Sequence, residues 1–189
     1  VRLNLARTLP RSAVNGPGER FVVWVQGCRL ACPGCWNPDT WAFERRDLRS
    51  VDDLAASILT TEGIEGVTFT GGEPFAQARA LAALAERVRA AGLSVFVFTG
   101  HDLDELTRPE HRALLAVTDV VVAGRYVEAK RANGLVWCGS ANQRVLFLSD
   151  RYSPADMENV AEVEFHLGSD GTLTVTGFPT EVGLCTGPA

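Results

Sequence analysis

Short apolar runs recur along this chain, most of them followed by a turn and then by apolar positions spaced three and four apart. Phe21 to Val25, Phe-Val-Val-Trp-Val, predicts a buried strand, because a continuous apolar run bounded by turn signals has no solvated face. Ser50 with Asp53 makes a capping box, and Val51, Leu54, Ala55, Ile58 and Leu59 then repeat with helical spacing. Val67 to Thr70 predicts a second strand running into Gly71-Gly72-Glu73-Pro74, after which Leu81, Leu84, Ala85 and Val88 form the stripe of another helix. Gly92 ends that helix, Ser94 to Phe98 predicts a strand, and Thr99-Gly100-His101 a turn. Asp102 with Glu105 predicts a further helix start that Pro109 kinks or restarts. Asp119 to Ala123 and Val145 to Leu148 predict two more strands, and Val163 to Leu167 with Thr172 to Thr176 a C-terminal antiparallel hairpin.

Strands alternating with helices imply an α/β fold with a parallel sheet and right-handed crossovers. Ligands of such sheets bind beyond the carboxyl ends of the strands. The loop that begins at Cys28, the Gly71-Gly72-Glu73-Pro74 turn, Thr99-Gly100 and Gly124-Arg125 all leave from such ends, so they converge on one expected site.

Composition narrows the classes. A length of 189 residues with no internal linker or low-complexity tract predicts one domain over 1–189. With 18 basic against 23 acidic residues there is no global attraction to nucleic acid or to anionic lipid. No apolar run reaches the length of a membrane span, and the first residues lack the pattern of a secretory signal, so a cytoplasmic location is expected. Five cysteines, three of them at Cys28, Cys32 and Cys35 and the others at Cys138 and Cys185, make a poor disulfide framework and point to a metal.

The spacing C-x-x-x-C-x-x-C supplies three thiolates and no nearby fourth Cys or His. A structural zinc site would be incomplete, whereas a cubane cluster with three protein ligands keeps one iron open to a ligand. An electron carrier usually closes its cluster with a fourth ligand. Cys138 and Cys185 are read as incidental thiols, His111 and His166 as residues without chemistry, and Trp24 and Trp41 as packing or surface contacts. The loop Gly139-Ser140-Ala141-Asn142-Gln143-Arg144 reads equally well as a self-satisfied loop or as part of the site.

Through Cys28-Arg29-Leu30-Ala31-Cys32-Pro33-Gly34-Cys35-Trp36-Asn37 and Gly71-Gly72-Glu73-Pro74, the chain resembles the radical S-adenosylmethionine enzymes. Asn15-Gly16-Pro17-Gly18-Glu19-Arg20 and residues 139–144 extend the likeness to the small glycyl-radical-enzyme activating proteins, of the anaerobic ribonucleotide reductase type. The resemblance implies a partial, open parallel β/α barrel and a 4Fe-4S cluster on Cys28, Cys32 and Cys35. S-adenosylmethionine would chelate the fourth iron and be cleaved by one electron to methionine and a 5'-deoxyadenosyl radical, which takes hydrogen from a substrate. Gly71, Gly72 and Glu73 would meet the methionine ammonium, Pro74 would fix the turn, Trp36 and Asn37 would lie by the cluster or cofactor, and Thr99 and Gly100 would line its pocket. The implied partners are a glycyl-radical enzyme and a one-electron donor such as flavodoxin or ferredoxin. Asn15 in place of an acidic residue, and Arg29-Leu30-Ala31 without a histidine, keep open a stand-alone enzyme acting on a small molecule or peptide.

Overall fold

The computed structural model describes residues 1–132, 134–158, 160–168 and 170–177. Nine strands and three α-helices are found among them: β1 (Arg2–Ser12), β2 (Arg20–Val25), β3 (Asp47–Ser50), α1 (Val51–Leu59), β4 (Gly66–Gly71), α2 (Ala78–Ala90), β5 (Ser94–Phe98), α3 (Pro109–Ala116), β6 (Val120–Ala123), β7 (Arg144–Phe147), β8 (Val163–Leu167) and β9 (Leu173–Gly177). The first seven strands form one sheet in the order β3-β1-β2-β4-β5-β6-β7. Its centre, β2-β4-β5-β6, is parallel, as the alternation of strands and helices predicts.

The flanks differ from that expectation. β1 pairs antiparallel with β2 and with β3, and β7 pairs antiparallel with β6. Among the described residues between β6 and β7 the chain has a short 3-10 turn, Glu128–Lys130, and no crossover helix to return it to the opposite end of the sheet. It therefore loops back on the carboxyl side of the strands. The sheet is open, with β3 and β7 at its edges, and it is mixed rather than wholly parallel.

Helix α1 begins where the sequence places it, with Ser50 as N-cap accepting the Asp53 N–H at 3.0 Å, one half of the capping box that the sequence suggests. The Asp102 N–H does bond the Glu105 carboxylate at 2.9 Å, but this end caps one 3-10 turn, Leu103–Glu105, and Pro109 starts the true helix at its first position. Period-two alternation divides the core between the two sheet faces. Val95, Val97 and Val121 pack with Leu54, Ile58, Leu81, Leu84, Val88 and Leu114 from the helices, while Phe96, Val120 and Val122 face Trp137 and Tyr152. Both faces are thus covered, which is why β2, β5 and β6 read as nearly unbroken apolar runs, while β4 carries Thr68 and Thr70 between its apolar residues.

Arg20, fully buried, ties the strands together at their amino ends. Its guanidinium donates to Thr68 Oγ1 at 2.7 Å, Pro17 O at 2.9 Å, Ser94 Oγ at 3.0 Å and Val67 O at 2.8 Å, and burial pulls its pKa down. β8 and β9 form the expected hairpin, with Phe165 opposite Val175. Its polar edge docks on the domain through Ser12 Oγ to Glu164 at 2.6 Å and Asn15 Nδ2 to Thr176 Oγ1 at 2.8 Å. No helix among the described residues is long and apolar enough to cross a membrane.

Candidate active site

β2 delivers the chain into a tight loop. Gly27, Ala31 and Gly34 take positive φ of 102°, 43° and 73°, and Ala31 is one of the few non-glycine residues in that region. Such backbone costs on the order of 1–3 kcal/mol at a non-glycine residue and persists where the surroundings impose it. Cys28, Cys32 and Cys35 emerge partly exposed and unpaired, and all three line one cavity of about 320 Å³. Burial pushes the Cys28 and Cys32 thiols up, so a metal arriving there displaces protons. The Asn37 N–H donates to Cys35 Sγ at 3.4 Å.

The Gly71-Gly72-Glu73-Pro74 turn is fastened to this loop. Gly72 N–H donates to Val25 O at 2.8 Å and Glu73 N–H to Gly27 O at 2.9 Å. A side chain on Gly71 would come within 2.7 Å of Trp24 Cα, and one on Gly72 within 2.5 Å of Gly27 O. The two glycines are therefore required by the close pass of the turn over the end of β2, whatever a ligand also asks of them.

Glu73 is buried yet lines the cavity. Its Oε1 accepts from Phe75 N at 2.9 Å and Thr99 Oγ1 at 2.9 Å, and its Oε2 from Gly100 N at 3.0 Å. Burial raises its pKa, against the pull of the N–H donors of Phe75 and Gly100. Three bonds leave room on a carboxylate, which offers about four lone-pair sites, for one further donor such as an ammonium. Thr99 and Gly100 also line the cavity, whereas Pro74 lies buried beneath the turn, opens its 3-10 helix and is not among the lining residues.

All four tryptophans of the chain line the cavity, Trp24 and Trp41 included, contrary to their reading as packing or surface residues. Trp36 packs against Tyr126 with ring centroids 4.8 Å apart and planes tilted by 57°, and Gly139 lies directly against its ring. The 139–144 loop satisfies its own backbone, with Gln143 Oε1 accepting from Gly139 N at 2.8 Å and Ser140 N at 3.2 Å, and it also lines the cavity through Gln143. His101 lies beside Glu105 at 3.5 Å, buried Cys138 is pushed up to about 11 by desolvation, and Cys185 falls outside the described residues.

Sequence reasoning missed Arg7, Tyr126 and the hairpin residues Val175, Thr176 and Gly177, all of which line the cavity. Only the crowding of aromatics near the cysteines offered a signal; Arg7 had none.

Three thiols with no fourth Cys or His lining the cavity among the described residues, beside a buried carboxylate with spare accepting capacity, fit a cubane cluster that leaves one iron for an exogenous amino acid. Among the described residues no three His, Cys, Asp or Glu side chains converge closely enough to hold a single metal ion. Thiolates on separate irons need no such convergence.

Comparison with known proteins agrees with this class of site. The family model for a 4Fe-4S single cluster domain matches residues 14–146. The anaerobic ribonucleoside-triphosphate reductase-activating protein of Haemophilus influenzae is 32% identical over 152 residues, covering 75% of this chain and 96% of its own length. Those of Vibrio cholerae and of Enterobacteria phage T4 are each 34% identical over 149 residues, covering 75% and 76% of this chain and 96% and 93% of themselves. The chain belongs to this 4Fe-4S single-cluster family of reductase-activating proteins. A solved structure of QueE from Escherichia coli matches 52% of each chain at 20% identity with a TM-score of 0.44, too loose a likeness to argue from.

Proposed function

We propose that this chain is a radical S-adenosylmethionine activase that takes hydrogen from a backbone glycine of a partner glycyl-radical enzyme. The observation that carries the proposal is the hydrogen-bonded union of the three-cysteine loop with the Glu73 turn around one cavity, in a chain whose relatives are named as reductase-activating proteins. When bound, the cluster and S-adenosylmethionine supply one-electron cleavage of the sulfonium, giving methionine and a 5'-deoxyadenosyl radical. Flavodoxin or ferredoxin is the class of donor that would provide the electron.

The chain's own residues bind, orient and exclude water. Cys28, Cys32 and Cys35 hold the cluster, and Glu73 accepts the ligand's ammonium in a desolvated setting where a charge-assisted bond is strong. Gly71 and Gly72 let the turn lie close to the loop, so cluster and carboxylate keep a fixed distance. Thr99 and Gly100 hold Glu73 in place by bonding its oxygens. Trp24, Trp36, Trp41, Trp137 and Tyr126 wall the cavity against water, which a reactive radical requires. In this reading residues 1–189 form one domain of the open-barrel type, acting in the cytoplasm.

One observation favours the second reading, a stand-alone enzyme for a small molecule or peptide. The hairpin lies beyond the 14–146 match, and its Val175, Thr176 and Gly177 close part of the cavity that an activase would leave open to a protein loop.

The test is anaerobic reconstitution with iron and sulfide, addition of S-adenosylmethionine and a strong reductant, and mass spectrometry for 5'-deoxyadenosine. Its formation, lost in Cys35→Ala, supports radical chemistry; a glycyl-radical signal on adding the partner enzyme separates the two readings. A fully loaded cluster that yields no 5'-deoxyadenosine with or without a partner overturns both.

A further inference from the structure

Arg7 sits on β1, far in sequence from the cysteine loop and before the first residue of the family match. Its guanidinium reaches that loop. Nη2 donates to Asn37 Oδ1 at 2.6 Å and Nη1 to Asp39 Oδ2 at 3.2 Å, while the planar group lies 4.7 Å over the ring of Trp24. Asn37, so held, donates its own N–H to Cys35 Sγ at 3.4 Å. The two bonds on Asn37 form a relay from the guanidinium to the sulfur. Charge adds to it, because Arg46 also approaches Asp39 at 3.7 Å, placing two cations on one carboxylate at the Asn37 side of the loop.

We propose that Arg7 is a positioning residue that raises the reduction potential of the cluster, by keeping the Asn37 N–H on the Cys35 sulfur and by adding positive charge next to it. Reduction makes a cluster more negative, so N–H donors to its sulfurs and nearby cations favour the reduced state. Arginine suits the task where lysine does not, because its fork serves two separate acceptors and its flat face packs on Trp24. The inference rests on the reading of Cys35 as a cluster ligand.

The experiment is a redox titration of the anaerobically reconstituted full chain, without S-adenosylmethionine, followed by electron paramagnetic resonance. Arg7→Gln should keep its iron and sulfide but lose about tenfold in the equilibrium constant for reduction, roughly 59 mV downward for a one-electron couple. Arg7→Lys, which keeps the charge and loses the fork, should fall between; a midpoint equal to wild type would assign the effect to charge and overturn the positioning role. An unshifted midpoint in fully loaded Arg7→Gln overturns the whole inference. Should Arg7→Gln fail to load, Asn37→Ala replaces it, since it removes the acceptor of the guanidinium and leaves the charge. A lowered midpoint there supports the relay, and an unchanged one refutes it. If wild type takes up no cluster, or Cys35→Ala keeps a full one, the ligand reading fails and this inference with it. Loading lost in Cys35→Ala alongside an unmoved Arg7→Gln midpoint sinks the inference alone.

Discussion

Replacing Glu73 by Gln keeps the shape of the side chain and removes its charge, which isolates what the carboxylate does. The amide oxygen can take over the Oε1 position, keeping the bonds from Phe75 N and Thr99 Oγ1, both 2.9 Å. The amide nitrogen must then face Gly100 N–H, which now bonds Oε2 at 3.0 Å, donor against donor. Leaving that N–H unpaired costs about 1–3 kcal/mol, offset in part because a buried charge is no longer held away from water. Attachment to the cysteine loop is untouched, since it runs through Glu73 N to Gly27 O rather than through the side chain. A ligand ammonium, however, loses a charge-assisted bond worth about 1.5–3 kcal/mol, so affinity for S-adenosylmethionine should fall roughly 10- to 150-fold. Isothermal titration of the reconstituted protein, with iron and sulfide assayed in parallel, measures both. An affinity within twofold of wild type at full cluster loading would remove Glu73 from the ligand site, and loss of the cluster would show that its side chain supports the loop itself.

Three further predictions use other parts of the site. Cys28→Ala, Cys32→Ala and Cys35→Ala should each abolish cluster retention, whereas Cys138→Ala, buried against Trp137 and Phe96, should leave the iron content unchanged; iron and sulfide analysis decides. Gly139→Ala places a methyl into the Trp36 ring and 3.0 Å from Tyr126 Cδ2, so overpacking should cost about 1–3 kcal/mol in chemical denaturation, and an unchanged midpoint would show that Trp36 moves freely. Because burial raises the folded-state pKa of Glu73 above its ordinary 4.5, its contribution to stability is complete below that value and is lost as pH rises through the raised one. Wild type without ligand should therefore lose stability relative to Glu73→Gln as pH climbs from the ordinary carboxylate range. A pH-independent difference between the two would contradict the burial of a titrating carboxylate.

Local chemistry in the chain was enough to place the strands at the centre of the sheet, the cap of α1, the C-terminal hairpin and the two motifs of the site. Phe21–Val25 and Val95–Phe98 are continuous apolar runs because both sheet faces are buried, Val67–Thr70 sets Val67 and Phe69 into the core with Thr68 and Thr70 between, and the motifs fall at the carboxyl ends of these strands. β1 alternates only at its start, where Leu3 and Leu5 enter the core, and then loses the pattern through Arg7, Pro10 and Arg11, while Asp47-Leu48-Arg49-Ser50 of β3 is too short and polar to read as a strand and is held by pairing with β1. The antiparallel turn of β7 depends on what its connection lacks, a crossover helix, and no property of residues 144–147 encodes it. The cavity walls follow the same rule. Cys28, Cys32, Cys35 and Glu73 announce their chemistry by type and spacing, while Arg7, Trp137 and Thr176 reach the site through β1, the returning loop and the hairpin. A side chain's chemistry is local, but its neighbours across a sheet are set by strand order, and strand order exists only once the chain has folded.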